Sequence, residues 1–295
     1  MKKRLLVLFV VSFLVLLLPM QVYAAKPAPV VKTVEYVGLG DSIAFGMSAE
    51  AGNDYFTLYS TYLKSKTTSP YISTNDALSG QTCDELRAEL EGTSSLTSAK
   101  ANLLGATVVT ISIGGNNLLG PLIAYVAGLY GIDTNSSGFL ELLSAAINAN
   151  PSKLTNDLAW EILWPWSDLR GDLKAGVDAF KADWPTIVPK IKTLSGQSPK
   201  VYVLTVYNPV YGNDTLRDFM DEYISQINQI IKNYASSQGY LVVDIYAKFD
   251  SYTGIEPIVG FNLAGSPATF DPHPTDLGHE IIYNALVAAS SRVRK

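Results

Sequence analysis

Four short segments of the chain carry residue types that can act together. In Gly38-Leu39-Gly40-Asp41-Ser42-Ile43-Ala44-Phe45-Gly46 a serine follows an apolar, β-branched run and stands where a helix can begin. A serine so placed turns its hydroxyl into the crevice at the strand end, and its backbone N–H can face an anion there. Alone this is weak, because Gly-Asp-Ser is also ordinary turn chemistry. Asn75-Asp76-Ala77-Leu78-Ser79-Gly80-Gln81-Thr82 follows a second run, and Gly80 lets a backbone amide approach a ligand closely. Gly114-Gly115-Asn116-Asn117 follows a third run, and an asparagine side chain there can donate to a developing oxyanion. Phe270-Asp271-Pro272-His273-Pro274-Thr275 precedes a last helical pattern and holds one of the chain's 2 histidines.

In order, spacing and placement the four segments resemble the SGNH hydrolases, the GDSL-type esterases and lipases. Ser42, Gly80, Asn116 and His273 fall on the four residues that name that family. The resemblance covers essentially all of residues 25–295 apart from the stretch around 120–190. It implies a flavodoxin-like three-layer α/β/α sandwich with a five-stranded parallel sheet. It also implies hydrolysis of carboxylic esters with neither metal nor other cofactor. By the same resemblance, the N–H groups of Ser42 and Gly80 and the Asn116 side-chain amide form the oxyanion hole. Elementary chemistry agrees. A serine hydroxyl is a poor nucleophile until a base takes its proton, and His273 is the plausible base near the strand ends.

The chain departs from the family pattern twice. Asn117 stands where the family usually has aspartate, a supporting position whose change should leave the reaction class alone. The family's acid usually lies three residues before the histidine. Here Phe270 holds that position and Asp271 is only two before. Asp271 either orients His273 through a locally different turn or is a helix-entry residue. In the second case a backbone carbonyl or another acid does the orienting, or a Ser42–His273 dyad suffices.

The remaining polar candidates read as structural. His279 lies inside the last helical pattern, and its spacing from His273, Asp271 and Asp276 is not diagnostic of a metal site. Asp41 ties the strand-end turn by local hydrogen bonds. Asn208-Pro209 either lines the crevice or ends a strand. Asn135-Ser136-Ser137 and Asn213-Asp214-Thr215 match the glycosylation pattern, which is common by chance.

Composition narrows the alternatives. The 295 residues are 47% hydrophobic and 17% charged, too apolar for a disordered chain. With net charge −5 and no basic run beyond the first few residues, nucleic acid is not an expected partner. Two histidines and one cysteine cannot supply a four-ligand Cys/His zinc site, and Cys83 alone cannot form a disulfide framework. Cys83 is expected in the core.

Lys2, Lys3 and Arg4 precede an apolar run from Leu5 to Pro19, and Val22-Tyr23-Ala24 offers a small-x-small cut. This pattern predicts a secretory signal peptide over 1–24, cleaved after Ala24, and a secreted protein. The alternative, a retained anchor, would need an apolar stretch of roughly 20 residues. Residues 25–295 are then expected to form one domain.

Apolar runs at 34–39, 71–74, 106–113, 200–206 and 240–245 predict five strands covered on both faces. Helical periodicity lies between them, clearest over 214–236, with Asp214 as a possible cap and Gly239 beyond the end. Thr275 opens a last helix with Leu277, Ile281, Leu286 and Ala289 on one side. Alternating strands and helices predict a parallel sheet with its ligand at the carboxyl ends of the strands. The stretch 114–199 exceeds one crossover helix and holds all 4 tryptophans. Residues 120–190 are either extra helices with tryptophan as ordinary core, or a cap presenting an apolar wall to substrate. The expected substrate is a small-molecule or lipid ester. An O-acetylated polysaccharide is the alternative, and a silent binding module of the same fold is the non-enzyme alternative.

Overall fold

The computed structural model describes residues 32–94 and 98–292; the expected signal peptide lies outside them. β1 (Val34–Gly40) lies inside the sheet, with a parallel strand on each side. It pairs with β2 (Tyr71–Asn75) on one edge and with β3 (Val108–Ser112) on the other. β4 (Lys200–Leu204) and β5 (Leu241–Val243) complete a parallel sheet in the order β2-β1-β3-β4-β5. This is the flavodoxin-like order, which places a ligand crevice beyond the carboxyl ends of β1 and β3, where the strand order reverses. Every residue of β3 is buried, as expected for a central strand with helices on both faces.

Helices alternate with these strands. α1 (Ser42–Phe45) follows β1 directly, and α2 (Tyr55–Ser65) leads to β2. α3 (Cys83–Glu91) and α4 (Ser98–Asn102) lie between β2 and β3. Between β3 and β4 come α5 (Gly115–Tyr130), α6 (Phe139–Ala149), α7 (Pro151–Leu163) and α8 (Asp168–Ser195). α9 (Asp214–Gln238) precedes β5, α10 (Ile245–Asp250) follows it, and α11 (Asp276–Arg292) ends the fold. α2 packs on α11, while α3, α5 and α9 pack around α8. The sheet and these two helical groups make the three layers.

Several boundaries differ from those read in the sequence. β5 ends early because Asp244 turns the chain into α10, its carboxylate accepting from the Ala247 N–H. The cap of α9 is Asn213, one residue before Asp214; its side chain accepts from the Leu216 N–H at 2.9 Å. Gly239 ends α9 in the left-handed conformation, as expected. The buried face of α11 is centred on His279, Ile282 and Leu286 instead of Leu277, Ile281 and Ala289.

A two-stranded antiparallel hairpin, β6 (Val259–Asn262) and β7 (Thr269–Pro274), stands apart from the sheet. It was not expected, because glycine in one strand and prolines in the other disguise it. The long segment after β3 does hold extra helices. Trp184 is core: it stacks on Phe180 and donates its indole N–H to the Tyr240 hydroxyl.

Candidate active site

The close packing of β1 on β3 sets the position of Ser42. A Cβ on Gly40 would sit 1.7 Å from the Ser112 carbonyl oxygen, so only glycine lets the strands meet there. The Asp41 N–H then donates to that carbonyl at 2.8 Å, and the chain turns into α1 with Ser42 as its first residue. Asp41 caps the helix by accepting from the Ile43 N–H at 3.1 Å and also accepts from the Ser112 hydroxyl at 3.1 Å. Burial pushes its carboxyl up to about 6, although those hydrogen bonds pull the other way. As the first helical residue, Ser42 has a backbone N–H with no acceptor inside the helix.

His273 Nε2 lies 2.9 Å from Ser42 Oγ, and His273 Nδ1 lies 2.5 Å from Asp271 Oδ1. The tautomer that serves both contacts carries its proton on Nδ1, leaving Nε2 to accept from the serine. The route from Asp271 to His273 is a strand, not the altered turn considered above. In β7 alternate residues share a face. Phe270, Pro272 and Pro274 are buried on one side, and Asp271 and His273 project together on the other. The Tyr207 hydroxyl fastens this strand by donating to the Pro272 carbonyl at 2.7 Å. Burial alone would push the Asp271 carboxyl up. Hydrogen bonds from the His273 ring, the Ser48 hydroxyl and the His273 N–H outweigh it and hold the carboxyl below its usual range.

The three expected oxyanion donors are not equally placed. Asn116 lines the crevice with Ser42 and His273, and its side-chain amide donates to the Gln81 carbonyl at 3.1 Å. Gly80 is exposed in the adjoining turn with φ 82° and stands outside the crevice lining. The Gln81 carbonyl therefore joins the Gly80 turn to Asn116. Asn117 points the other way: its Oδ1 accepts from the buried Cys83 N–H at 3.1 Å, joining the starts of α5 and α3. Cys83 is buried as expected, and burial pushes its thiol up.

Beyond Ser42 the crevice is walled by apolar side chains. Leu118 and Leu122 come from α5, Met220 and Ile224 from α9, and Val210 and Phe261 from loop and hairpin. Pro209 joins them, whereas Asn208 turns away and donates to the Arg217 carbonyl and the Asp221 carboxylate. The helices after β3 thus supply part of the wall through leucines. None of the tryptophans lines it.

His279 is a packing residue. It is fully buried, Nδ1 accepts from the Tyr55 N–H, and Nε2 donates to the Met47 carbonyl. Burial holds its pKa below the usual value. Among the described residues, no three His, Cys, Asp or Glu side chains gather as a metal site. Sequence reasoning missed Ser48, whose hydroxyl donates to Asp271 Oδ2 at 2.7 Å across 223 positions. No local motif marks such a contact.

The sequence matches the GDSL-like lipase/acylhydrolase family over residues 39–281. The chain belongs to that family. No curated relative matches it. Among solved structures, a lipase from a goat rumen metagenome is 20% identical, with TM-score 0.56, over 87% of this chain and 97% of its own. An extracellular lipase from Streptomyces rimosus is 17% identical, with TM-score 0.54, over 87% of this chain and 99% of its own. An acetyl xylan esterase from Geobacillus stearothermophilus is 19% identical, with TM-score 0.50, over 87% of this chain and 94% of its own. At these identities the likeness is one of fold. As a GDSL-family hydrolase the chain has the five-stranded parallel sheet of its relatives, and among the described residues no helix is long and apolar enough to cross a membrane.

Proposed function

We propose that the protein is a serine esterase of lipase type, cleaving esters of apolar acyl groups through an acyl-enzyme on Ser42. The observation that carries this reading is the unbroken hydrogen-bonded series from Asp271 through His273 to Ser42, opening onto a leucine-walled crevice. His273 Nε2 takes the hydroxyl proton as Ser42 Oγ attacks the acyl carbon. The carbonyl oxygen becomes an oxyanion, held by the Ser42 N–H and the Asn116 amide; the family resemblance adds the Gly80 N–H, which stands in the adjoining turn outside the crevice lining. The imidazolium returns the proton to the leaving alcohol as the C–O bond breaks. Water, deprotonated by the same imidazole, then frees the acid and restores Ser42. Asp271 keeps the imidazole in the required tautomer and stabilises its charged form.

The apolar wall favours a fatty-acyl ester over an acetylated polysaccharide, since an acetyl group would leave most of that wall unfilled. A silent binding module is disfavoured by Ser42, His273 and Asp271 standing within hydrogen-bond distance of one another in series. The basic, apolar and small-residue pattern of 1–24 supports export, with one hydrolase domain from residue 25 and the helices of 120–190 as its insertion. The test is an acyl-chain-length series of chromogenic esters beside an O-acetylated sugar, with Ser42→Ala as control. Turnover rising with chain length and lost in Ser42→Ala supports the proposal. Hydrolysis of the acetylated sugar alone would replace it by the acetyl-ester reading.

A further inference from the structure

Three tryptophans that take no part in the core cluster at one turn. Trp160, Trp164 and Trp166 are 61%, 46% and 80% exposed, and Leu163 beside them is 77% exposed. Trp160 and Trp164 stack with centroids 5.2 Å apart and planes 9° apart, and Trp166 meets Trp164 at 70°. The turn presenting them is fixed. The Ser167 hydroxyl donates to the Glu161 carbonyl, the Leu169 N–H to the Glu161 carboxylate, and the Arg170 guanidinium to the Ile162 carbonyl. A rigid turn holding four large apolar side chains in water marks an interaction surface.

Its place in the fold ties it to the crevice. α8 ends beside the start of β3, where the Gly105 N–H donates to the Ser195 carbonyl. Further up the same helix, a Cβ on Gly176 would lie 1.8 Å from the Asn117 carbonyl oxygen, so Gly176 is level with the Asn116-Asn117 pair. Asp168 opens α8 eight residues earlier. At 1.5 Å per residue the helix overhangs that level by about 12 Å. The tryptophan turn therefore projects past the carboxyl edge of the sheet, on the end of the molecule that holds Ser42.

We propose that this turn docks the enzyme on a neutral or zwitterionic lipid surface, bringing the crevice to its substrate. The proposal deepens the apolar-ester reading and rests on it for its purpose, though binding is measured without turnover. Ring geometry argues for lipid over sugar. Trp160 and Trp164 each cover a face of the other, where a sugar platform needs open ring faces, and Leu163 offers a sugar nothing. Indole and leucine together suit the boundary between headgroups and acyl chains. Charge decides the headgroup. Residues 151–178 carry three basic and five acidic side chains. Lys153, Arg170 and Lys174 are each paired with a carboxylate, so no surplus of cations faces an anionic surface.

The test uses the mature Ser42→Ala protein, residues 25–295, so that the apolar run of 1–24 cannot itself bind lipid, and vesicles of ether-linked phosphatidylcholine, which offer no acyl ester to cleave. Co-sedimentation and a blue shift of tryptophan emission are expected, with buried Trp184 as a constant background. In the same Ser42→Ala protein, a combined Trp160→Ala, Trp164→Ala and Trp166→Ala change should weaken binding about tenfold or more. Carried on the enzyme with Ser42 intact, the three changes should leave turnover of a soluble short-chain ester unaltered, which also reports folding. Trp166→Ala alone, at the most exposed ring, should give a partial loss. Vesicle binding unaffected by these changes overturns the proposal. So does failure to bind vesicles, whether the protein is instead retained on acetylated polysaccharide, self-associates through the patch, or does neither. None of these outcomes bears on whether soluble apolar esters are hydrolysed, so the ester reading stands or falls separately.

Discussion

Ser48 Oγ donates a 2.7 Å hydrogen bond to Asp271 Oδ2, the carboxylate oxygen that His273 leaves unused. Among the described residues Ser48 is also the non-glycine residue with positive φ, 65°, a conformation costing roughly 1–3 kcal/mol. The loop is held in that conformation by α11. Asp276 accepts from the Glu50 N–H and the Asn53 side-chain amide, and His279 donates to the Met47 carbonyl. The last helix thus sets the loop, the loop sets Ser48, and Ser48 fixes the plane of the Asp271 carboxylate against the imidazole.

Ser48→Ala is therefore expected to lower kcat by about tenfold, equivalent to one hydrogen bond to a charged group, with KM little changed. Ser48→Gly relieves the backbone but lacks the donor, so it should show the same loss of kcat. Ser48→Asn tolerates positive φ and carries a donor, so it should recover part of the rate. Steady-state kinetics on the three variants, with melting temperatures alongside, separate the hydrogen bond from the strain. A Gly variant as active as wild type would remove Ser48 from the relay.

Asp271→Asn should keep the shape of the site, because asparagine matches aspartate in volume and Gly260 already abuts the Asp271 side chain. It removes the charge that favours the Nδ1–H tautomer and the imidazolium. The expected result is a kcat lower by on the order of 10²–10⁴, with a much smaller change in KM. A folded variant with kcat within about threefold of wild type would leave a Ser42–His273 dyad as the working unit.

The sheet was legible because central parallel strands are continuous apolar runs, and 34–39 and 106–113 have nothing else to be. Three of the chemical segments were legible for the same reason, since each follows such a strand. The fourth was legible only in part. His273 stood out as a scarce residue type, but its strand did not, because Pro272 and Pro274 argue against one. The two-residue spacing from Asp271 looked anomalous until strand alternation explained it. Ser48 was not legible at all, as its partner is 223 positions away. The tryptophans misled for a different reason. Residue type cannot tell Trp184, buried inside α8, from Trp166, exposed in the turn between α7 and α8.

Asn117 is the second departure from the family pattern, and its partner explains what the position does. Its Oδ1 accepts from the Cys83 N–H where both are buried, so Asn117→Asp preserves an acceptor and Asn117→Ala does not. Asn117→Ala should cost about 1–3 kcal/mol of stability, the penalty for an unpaired buried donor. Asn117→Asp should hydrolyse esters within about threefold of wild type. Urea unfolding and ester kinetics measure the two. An Ala variant as stable as wild type would show that Cys83 finds another acceptor.

Asp41 provides the last prediction, in stability against pH. Its carboxyl is pushed up by burial to about 6 in the folded protein, against about 3.9 in an unfolded chain. Between those values the folded state binds the proton and the unfolded state has lost it. Stability from this group is therefore full below about pH 4 and declines as pH rises toward 6, the reverse of a carboxylate held by a cation. The shift corresponds to about 3 kcal/mol. Asp41→Asn keeps a side-chain oxygen to cap α1 at the Ile43 N–H but does not ionise. The difference in unfolding free energy, variant minus wild type, should thus grow by about that amount from pH 4 to pH 7. Comparing the two proteins cancels other titrating groups, including Asp271, whose lowered pKa places its contribution to stability above about pH 4, to be lost on further acidification. Urea unfolding at both pH values gives the number. A difference that does not change with pH would mean that Asp41 titrates alike in folded and unfolded chains, and that its buried charge is offset by the helix start and the Ser112 hydroxyl.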